Sequence, residues 1–359
     1  MGKRTFLYDT HVKNGAKIID FFGWDLPLHY GSQLKEHLLV REDCGVFDVS
    51  HMLVTHIAGK EAKNFLQKLV TNDINKLNIK GKALYTPVLN ELGGIIDDII
   101  IYRLNDEETL YKIVSNGSTR EKDLQHFNNI AGEYLVDITP RYDLSMLAIQ
   151  GPLSIEKILK IKPLWKDKLN KLSSFESCYI EEDYFVSKTG YTGEIGIEVI
   201  SPSDKIKEFF ELLISNGISA CGLGARDTLR IEAGMNLYGQ DINNDVSPLE
   251  SGLSWTICFD SDFIGRDYLL KDKLKFKQVG LIIEDKVVLR SGMKIDTGDK
   301  ALSGIITSGT FSPTLKKSIA IARVPISVED NVKIDIRGKL IEARLVKLPF
   351  VRNGRKLVD

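Results

Sequence analysis

The 359-residue chain has few cysteines, and none of them is arranged as a metal site or a redox motif. The four cysteines, Cys44, Cys178, Cys221 and Cys258, are widely separated and form no Cys-x-x-Cys pair. This spacing predicts neither a zinc site nor a thioredoxin-like motif. The six histidines form no His-x-x-x-His pair, so we expect no metal. Free thiols in a reducing compartment are the favoured interpretation.

Net charge and long apolar runs are also nearly absent. Lys plus Arg (48) almost cancel Asp plus Glu (49), which leaves a net charge of -1. We therefore expect no nucleic acid and no anionic membrane as partner. No stretch approaches the roughly 20 apolar residues of a membrane span. The N-terminus reaches Asp9 before any apolar run develops, which disfavours a secretory signal or a transit peptide. The expected protein is intracellular and soluble.

The remaining composition is that of a globular protein with more than one domain. Apolar residues make up 43% and charged residues 27% of the chain, and this length predicts two or three packed domains. Helix-type spacing at 59–70 and several strand-like runs predict an α+β fold. After about residue 272, short β-branched runs alternate with turn residues, at 279–284, 304–308, 319–324, 332–336 and 340–346. This pattern of short strands and turns predicts a separate C-terminal β-barrel or sandwich.

A hairpin around two adjacent acids is the most informative local feature. Residues 84–89 and 95–104 are predicted strands, joined by a turn at 90–94 that contains Gly93 and Gly94. Side chains alternate along a strand, so Asp97 and Asp98 should point to opposite faces. Asp98 would share its face with Ile96, Ile100 and Tyr102. Either both acids lie at an exposed strand end, or one of them is a carboxylate on an apolar wall with a tunable proton affinity.

Two further glycine-containing runs have both a functional and an ordinary interpretation. In the run at 190–198, Glu194, Gly196 and Glu198 would line one face of a strand, and a carboxylate there could accept two parallel N–H donors from a planar heterocycle. The same run could be an ordinary hairpin with solvated acids. In the run at 222–230, Arg226 could clamp a ligand carboxylate or pair with a nearby acid, because spacing alone does not decide between them.

Several runs, in order along nearly the whole chain, resemble one family, the T-protein or aminomethyltransferase of the glycine cleavage system. They are Asp-Phe-Phe-Gly-Trp at 20–24, Gly-Val-Phe-Asp-Val-Ser-His-Met at 45–52, the hairpin at 93–98, the two runs at 190–198 and 222–227, Leu-Tyr-Gly-Gln-Asp at 237–241, Thr-Ser-Gly at 307–309 with Phe-Ser-Pro at 311–313, and Pro-Phe-Val-Arg-Asn-Gly at 349–354. Each run is moderately specific, whereas their joint order is highly specific.

The resemblance implies an α+β, three-domain, cloverleaf-like arrangement around a central folate site, with a C-terminal β-barrel. Residues 1–272 would form a folate-binding region of two interleaved α+β domains, and residues 273–359 the barrel. The implied reaction transfers a one-carbon unit from the aminomethyl-lipoyl arm of a partner H-protein to tetrahydrofolate. Ammonia and 5,10-methylenetetrahydrofolate are the implied products, with tetrahydrofolate as co-substrate and no metal. A bacterial-type chain would act in the cytoplasm, and an organellar one in the mitochondrial matrix.

The resemblance also assigns roles to single residues. It makes Asp98 the catalytic carboxylate. The implied folate-binding residues are Met52, Tyr85, Tyr102, Asn116, Tyr191, Glu198, Arg226 and Trp255. The chain departs from the family at Ser115 and Gly117, where the family commonly has other residues beside the asparagine.

Two other classes of function remain as alternatives. One is a non-catalytic folate-binding protein that aids iron–sulfur cluster assembly. Such relatives carry a cysteine beside a Gly-Gln-Glu run, and none precedes Gly239-Gln240-Asp241 here. The other is a different folate-dependent demethylase.

Overall fold

A computed structural model of the chain describes residues 2–284, 287–298, 302–336 and 338–358. Helices and sheets are mixed along the chain and a closed barrel follows them, so the α+β class with a C-terminal barrel is confirmed. In chain order the helices are α1 Tyr8–Lys13, α2 Gln33–Glu42, α3 Ala62–Leu69, α4 Arg120–Ala131, α5 Ser154–Ile161, α6 Lys166–Leu169, α7 Ser203–Ser215, α8 Leu223–Glu232 and α9 Arg266–Lys271.

The strands preceding the barrel form three sheets. In chain order they are β1 Lys3–Arg4, β2 Lys17–Phe21, β3 Trp24–His29, β4 Gly45–Asp48, β5 Leu53–Ala58, β6 Ala83–Leu89, β7 Ile95–Arg103, β8 Leu110–Ser115, β9 Asp137–Pro140, β10 Leu144–Gln150, β11 Ser177–Ile180, β12 Tyr184–Ser187, β13 Gly196–Pro202 and β14 Ser219–Ala220. The barrel and the C-terminal hairpin use β15 Phe276–Ile283, β16 Lys294–Asp296, β17 Gly304–Ser312, β18 Lys317–Pro325, β19 Asn331–Ile336, β20 Lys339–Val346, β21 Val351–Arg352 and β22 Arg355–Lys356.

The chain moves between two of these sheets before it reaches the barrel. Strand β4 belongs to a six-stranded sheet of order β11-β12-β13-β10-β4-β14. The chain then builds the five-stranded sheet β6-β7-β8-β5-β9 and returns to the six-stranded sheet with β10. Residues distant in sequence therefore meet where the two sheets face each other, and the cluster around Phe47, Tyr102 and Phe185 joins them.

The predicted hairpin is formed by β6 and β7, but a bulge alters its alternation. Val88 pairs with Asp97 and Leu89 pairs with Ile95, so Ile96 is the extra residue. A bulged residue leaves the regular two-residue period. Ile96 consequently packs in the same core cluster as Ile99 and Ile101, and the expectation that it shares a face with Asp98 is corrected.

One glycine of the hairpin turn allows a close approach between distant loops. A Cβ added at Gly94 would lie 1.7 Å from the carbonyl oxygen of Asn244. The adjacent amide of Ile95 donates to Asn243 O over 3.1 Å and to Val246 O over 3.0 Å. A side chain at position 94 would separate the hairpin from this loop, so glycine is required there.

The C-terminal barrel closes in the order β15-β18-β17-β16-β19-β20 and docks on α8. Its outer face contributes Ile319 and Ile321 to a cluster with Ile231 of α8. Buried polar contacts reinforce the apolar ones. Glu232 at the end of α8 accepts hydrogen bonds from Thr314 N over 3.1 Å and from Thr314 Oγ1 over 2.8 Å.

None of the helices in the part of the chain that the structure describes combines the length and apolar character needed to cross a membrane.

Candidate functional site

A central cavity of about 810 Å³ lies where the two sheets, the segment around Met235–Leu253 and the barrel meet. Its wall includes residues from Phe21 to Arg352. The volume lies within the range of small-molecule sites in proteins, about 300–1,000 Å³. Eight of the nine residues singled out in the sequence line it, namely Met52, Tyr85, Asp98, Asn116, Tyr191, Glu198, Arg226 and Trp255.

Asp98 lies on β7 with its carboxylate at the cavity wall. The phenol of Tyr85 donates to Oδ2 over 3.0 Å, and the Asn116 amide donates to Oδ1 over 2.9 Å. Burial raises the pKa of Asp98 to about 7, and a negative charge on Asp97, where it is ionised, adds to this rise. The two hydrogen bonds act in the opposite direction but do not cancel it. A carboxyl group with a pKa near neutrality can both accept and release a proton.

Asp97 points away from the cavity, as strand alternation predicts. It is fully buried and accepts hydrogen bonds from Asn116 N over 3.1 Å and from Asn116 Nδ2 over 2.9 Å. Burial, and then the nearby Asp123, raise its pKa well above the usual value. The two adjacent acids therefore have different surroundings, and Asp98 is the one that reaches the cavity.

Glu198 and Arg226 place an acceptor and a donor on the same wall. Glu198 is 4% exposed and accepts a hydrogen bond from Thr189. Its burial excludes the interpretation of a solvated hairpin acid, and it raises the pKa of this carboxyl. The guanidinium of Arg226 lies 4.8 Å from the ring centroid of Tyr191, and its Nη1 is buried without a hydrogen-bond partner. Among the described residues no carboxylate lies within ion-pair distance of Arg226, so its donors are available to a ligand.

Aromatic side chains form another part of the wall. The rings of Tyr85 and Trp255 stack with their centroids 5.8 Å apart and an interplanar angle of 23°. Trp255 lies in a one-turn helix, Ser254–Thr256, and is 62% exposed. Tyr191 closes the wall nearby, with its hydroxyl donating to Asn236 O over 2.5 Å. A flat ring system would gain stacking contacts here.

Tyr102 lies one layer behind the wall. It has no exposed surface, and its ring packs edge-on against Phe185 at 5.1 Å. Its hydroxyl bonds with Ser187 Oγ over 3.3 Å and with Thr189 Oγ1 over 3.4 Å. Since Thr189 in turn donates to Glu198, Tyr102 supports a wall residue. Tyr102 is not among the residues that line the cavity, and its direct contact with the ligand stays a prediction.

Other wall residues were not singled out from the sequence. They include Phe21, Phe22, Trp24, His51, Gln278 and Arg352. Five of them lie in the ordered runs at 20–24, 45–52 and 349–354, so the signal was present, but those runs did not indicate which residue faces the ligand. Burial lowers the pKa of His51 to about 4, which keeps its imidazole neutral at physiological pH.

Gly117, one of the departures from the family pattern, lies under His51. A Cβ at this position would be 2.6 Å from the carbonyl oxygen of His51 and 2.8 Å from its ring. The absence of a side chain therefore allows the segment carrying Asn116 to approach the backbone and ring of His51 closely.

Within the described ranges no group of His, Cys, Asp and Glu side chains is arranged to hold a metal ion. The cavity instead combines one tunable carboxylate, a buried acceptor, an arginine with unused donors and stacked aromatic rings. That set is suited to a polar, aromatic organic molecule.

Comparison with known proteins identifies the family to which the chain belongs. Residues 7–261 match the family model described as the GCVT N-terminal domain. Residues 277–352 match the one described as the glycine cleavage T-protein C-terminal barrel domain. The chain belongs to the glycine cleavage T-protein family.

Curated relatives extend this match over the full length of the chain. An aminomethyltransferase from Neisseria meningitidis is 53% identical over an alignment of 364 positions that covers 99% of each protein. One from Chromobacterium violaceum is 48% identical over an alignment of 363 positions, which again covers 99% of each. The crystal structure of glycine cleavage system aminomethyltransferase T from Bartonella henselae covers 99% of both chains with a TM-score of 0.89 at 31% identity. The expected family and the expected transferase activity are therefore confirmed, and the chain is an aminomethyltransferase.

Proposed function

We propose that this aminomethyltransferase binds tetrahydrofolate in the central cavity and transfers to it the carbon of an aminomethyl group carried on the lipoyl arm of an H-protein. The observation that carries the proposal is Asp98 at the cavity wall, held by Tyr85 and Asn116. The volume, the stacked pair of Tyr85 and Trp255, and the unused Arg226 donors support a ligand of the size and polarity of a folate.

The residues suggest how such a ligand is held. Glu198 accepts N–H donors from the heterocycle, because a buried carboxylate without a cation at ion-pair distance needs such donors. Tyr85, Tyr191 and Trp255 cover the ring faces. Met52 adds apolar contact with the ligand. Asn116 orients the carboxylate of Asp98 as well as contacting the ligand. The unpaired guanidinium of Arg226 binds ligand oxygen.

The proposed reaction redistributes atoms without oxidation or reduction. The carbon loses its bonds to ammonia and to the lipoyl sulfur, and it gains bonds to two folate nitrogens. The two folate N–H protons are transferred to the departing ammonia and to the departing thiolate. The products are ammonia, the dihydrolipoyl arm and 5,10-methylenetetrahydrofolate.

Asp98 serves this reaction in its ionised form. Its charge stabilises the cationic carbon–nitrogen species that precedes bond formation, because few solvent dipoles screen a carboxylate on an apolar wall. It also accepts the proton from the attacking folate nitrogen. A carboxyl with a pKa of about 7 binds that proton near neutral pH and releases it again.

A direct assay tests the proposal. Purified protein is supplied with aminomethylated H-protein and tetrahydrofolate, and ammonia and methylene-folate are measured together. Equal amounts of both products are expected. If folate binds and neither product forms, the chain acts as a folate-binding protein and the proposed transfer is wrong. The bacterial relatives support the cytoplasm as the compartment for this reaction.

A further inference from the structure

A second pair of acids lies directly behind Asp98 and has no role in the reaction as written above. Asp97 on β7 and Asp123 in the first turn of α4 are 0% and 1% exposed. Their carboxyl groups lie within hydrogen-bonding range of each other. Two ionised carboxylates in contact and away from water would repel strongly, so such a pair retains a proton.

The nearest cation does not neutralise this pair. Lys122 donates instead to Ile96 O over 2.6 Å, to Tyr238 Oη over 2.5 Å and to Asn244 Oδ1 over 3.4 Å. In the described part of the chain, neither acid forms an ion pair within 4.0 Å.

The two acids differ in the hydrogen bonds that they already accept. Asp97 accepts from the backbone and the side chain of Asn116. The hydroxyls of Thr119 and Ser115 lie beside Asp123 and lower its pKa, but neither oxygen of Asp123 receives an aligned N–H or O–H donor from the described residues. The Thr119 hydroxyl donates to Asn116 O over 3.1 Å. A proton on Asp97 that is donated to Asp123 would give Asp123 an aligned donor.

Asn116 connects this pair to the carboxylate in the cavity. Its Nδ2 lies 2.9 Å from Asp97 Oδ1, 2.9 Å from Asp98 Oδ1 and 3.2 Å from Asp98 O. The orientation of Asn116 is fixed by Asp97 on one side, and it fixes Asp98 on the other. A change in the charge of Asp97 therefore acts on Asp98 at short range.

We propose that Asp97 holds a proton and donates it to Asp123 in a hydrogen bond. Asp97 is then a neutral acid that positions Asp98 through Asn116, and Asp98 is the group that ionises during turnover. Asp97 and Asp123 are positioning residues, because neither lines the cavity. The inference rests on the proposed function only for the role of Asp98. The other titratable groups around the three carboxyls are Tyr85, Tyr191, Tyr238 and Lys122.

Three full-length variants test whether Asp97 and Asp123 position Asp98 through a shared proton or only stabilise the fold. In Asp123→Asn the new amide donates to Asp97, which then ionises beside Asp98. The acid limb of the pH profile of kcat/KM should move to higher pH by about one unit. Below neutrality kcat/KM should be about tenfold lower than in the wild type, and it should return to the wild-type value at alkaline pH.

In Asp97→Asn a neutral group replaces the protonated acid. The acid limb should therefore stay within about 0.3 pH unit of its wild-type position, while kcat falls only a few-fold. The exposed Glu121 of the same helix supplies the control, and Glu121→Gln should change neither quantity.

Infrared spectroscopy tests whether Asp97 is protonated, and it does not rely on enzymatic activity. At about pH 8, where Asp98 is mostly ionised, the wild-type protein should retain a carboxylic-acid carbonyl band that is absent from Asp97→Asn. The proposal is overturned if wild type and Asp97→Asn have the same bands, or if Asp123→Asn keeps the wild-type acid limb. A wild-type protein that binds folate but transfers no carbon would refute the proposed function and leave the infrared result valid.

Discussion

The phenol of Tyr85 donates a hydrogen bond to Asp98 over 3.0 Å while its ring stacks on Trp255 at 5.8 Å. One side chain thus joins the proposed catalytic carboxylate to the aromatic wall. Its two contacts can be separated by mutation, because phenylalanine keeps the ring and removes the hydroxyl.

Asp98→Asn should lower kcat by about 10²–10⁴-fold, the usual contribution of a general acid–base group. The amide is nearly isosteric and can still accept a hydrogen bond from Tyr85, so folate affinity should change little. Turnover by stopped-flow and folate binding by calorimetry are measured on the same preparation. Turnover near the wild-type rate would refute the assigned role.

The activity of the wild-type enzyme should fall as the pH drops through about 7, where Asp98 becomes protonated. The Tyr85 hydrogen bond lowers the pKa of Asp98, and Tyr85→Phe should therefore shift the acid limb of kcat/KM to higher pH. The ring contact with Trp255 is retained in this variant. An acid limb that moves to lower pH would contradict the direction of this hydrogen-bond effect.

Trp255 should report folate binding. It is 62% exposed, whereas Trp24 is 7% exposed and Trp165 is fully buried. Quenching of tryptophan fluorescence by acrylamide should therefore come mainly from Trp255 and should decrease when tetrahydrofolate covers the ring. Trp255→Phe is the control and should remove the folate-sensitive fraction. If folate protects that variant equally, the ligand does not stack at this position.

Lys112 is a buried cation without a carboxylate partner among the described residues. Its ammonium lies 3.5 Å from the ring centroid of Phe185, and burial lowers its pKa to about 7. The folded state therefore disfavours the proton that the unfolded chain holds up to its ordinary pKa of 10.5. The resulting cost to stability is largest below pH 7 and disappears as the pH rises towards 10.5.

Lys112→Met should consequently raise the free energy of unfolding by about 1–3 kcal/mol at pH 6 and by less at pH 9. Urea unfolding at the two pH values measures this difference. The exposed Lys171→Met serves as the matched control and should show no such dependence. A variant that is less stable than wild type at pH 6 would mean that the cation–π contact outweighs the cost of burial.

Glu232 joins α2, α8 and the barrel. It accepts hydrogen bonds from Arg41 Nη2 over 2.8 Å and from Thr314 Oγ1 over 2.8 Å. Burial alone would raise its pKa, but the hydrogen bond and charge of His37 and the charge of Arg41 outweigh burial and lower the pKa to about 2. A depressed folded-state pKa gives stability that is present above the unfolded value of 4.5 and is lost as the pH falls towards 2.

Glu232→Gln should lower the free energy of unfolding by about 1–3 kcal/mol at neutral pH, because Arg41 and His37 lose a charged partner while Glu194 still pairs with Arg41. The difference in the free energy of unfolding between this variant and the wild type should be constant above pH 5 and should become smaller as the pH falls. The exposed Glu208→Gln is the control. A gap that persists unchanged at low pH would show that packing, and not the carboxylate charge, is responsible.

The parts of the fold that depend on local pattern were predictable. The hairpin expected at 84–104 appears as Ala83–Leu89 and Ile95–Arg103. The helix expected at 59–70 appears as Ala62–Leu69, with Ala62, Phe65, Leu66 and Leu69 buried. Period alone cannot reveal a bulge, and for that reason Ile96 was assigned to the wrong face.

The interior of the site depends on packing between segments distant in sequence. Alternation separates Asp97 from Asp98, but nothing in the hairpin indicates that Asp123, on the helix after the next strand, lies against Asp97. The resemblance to the family selected Tyr102 by its position in a motif. Its hydroxyl is instead occupied by Ser187 and Thr189, which β12 and the following loop bring to the same place.

The cavity wall draws on residues from Phe21 to Arg352, and this has a consequence for biosynthesis. A growing chain has no complete binding site until the residues around 352 have left the ribosome, although both large sheets are synthesised much earlier. If the proposed folate binds in this cavity, it stabilises the folded state by mass action once the residues around 352 are in place. The proposed co-substrate would thus stabilise chains that extend to this point more than shorter, truncated ones.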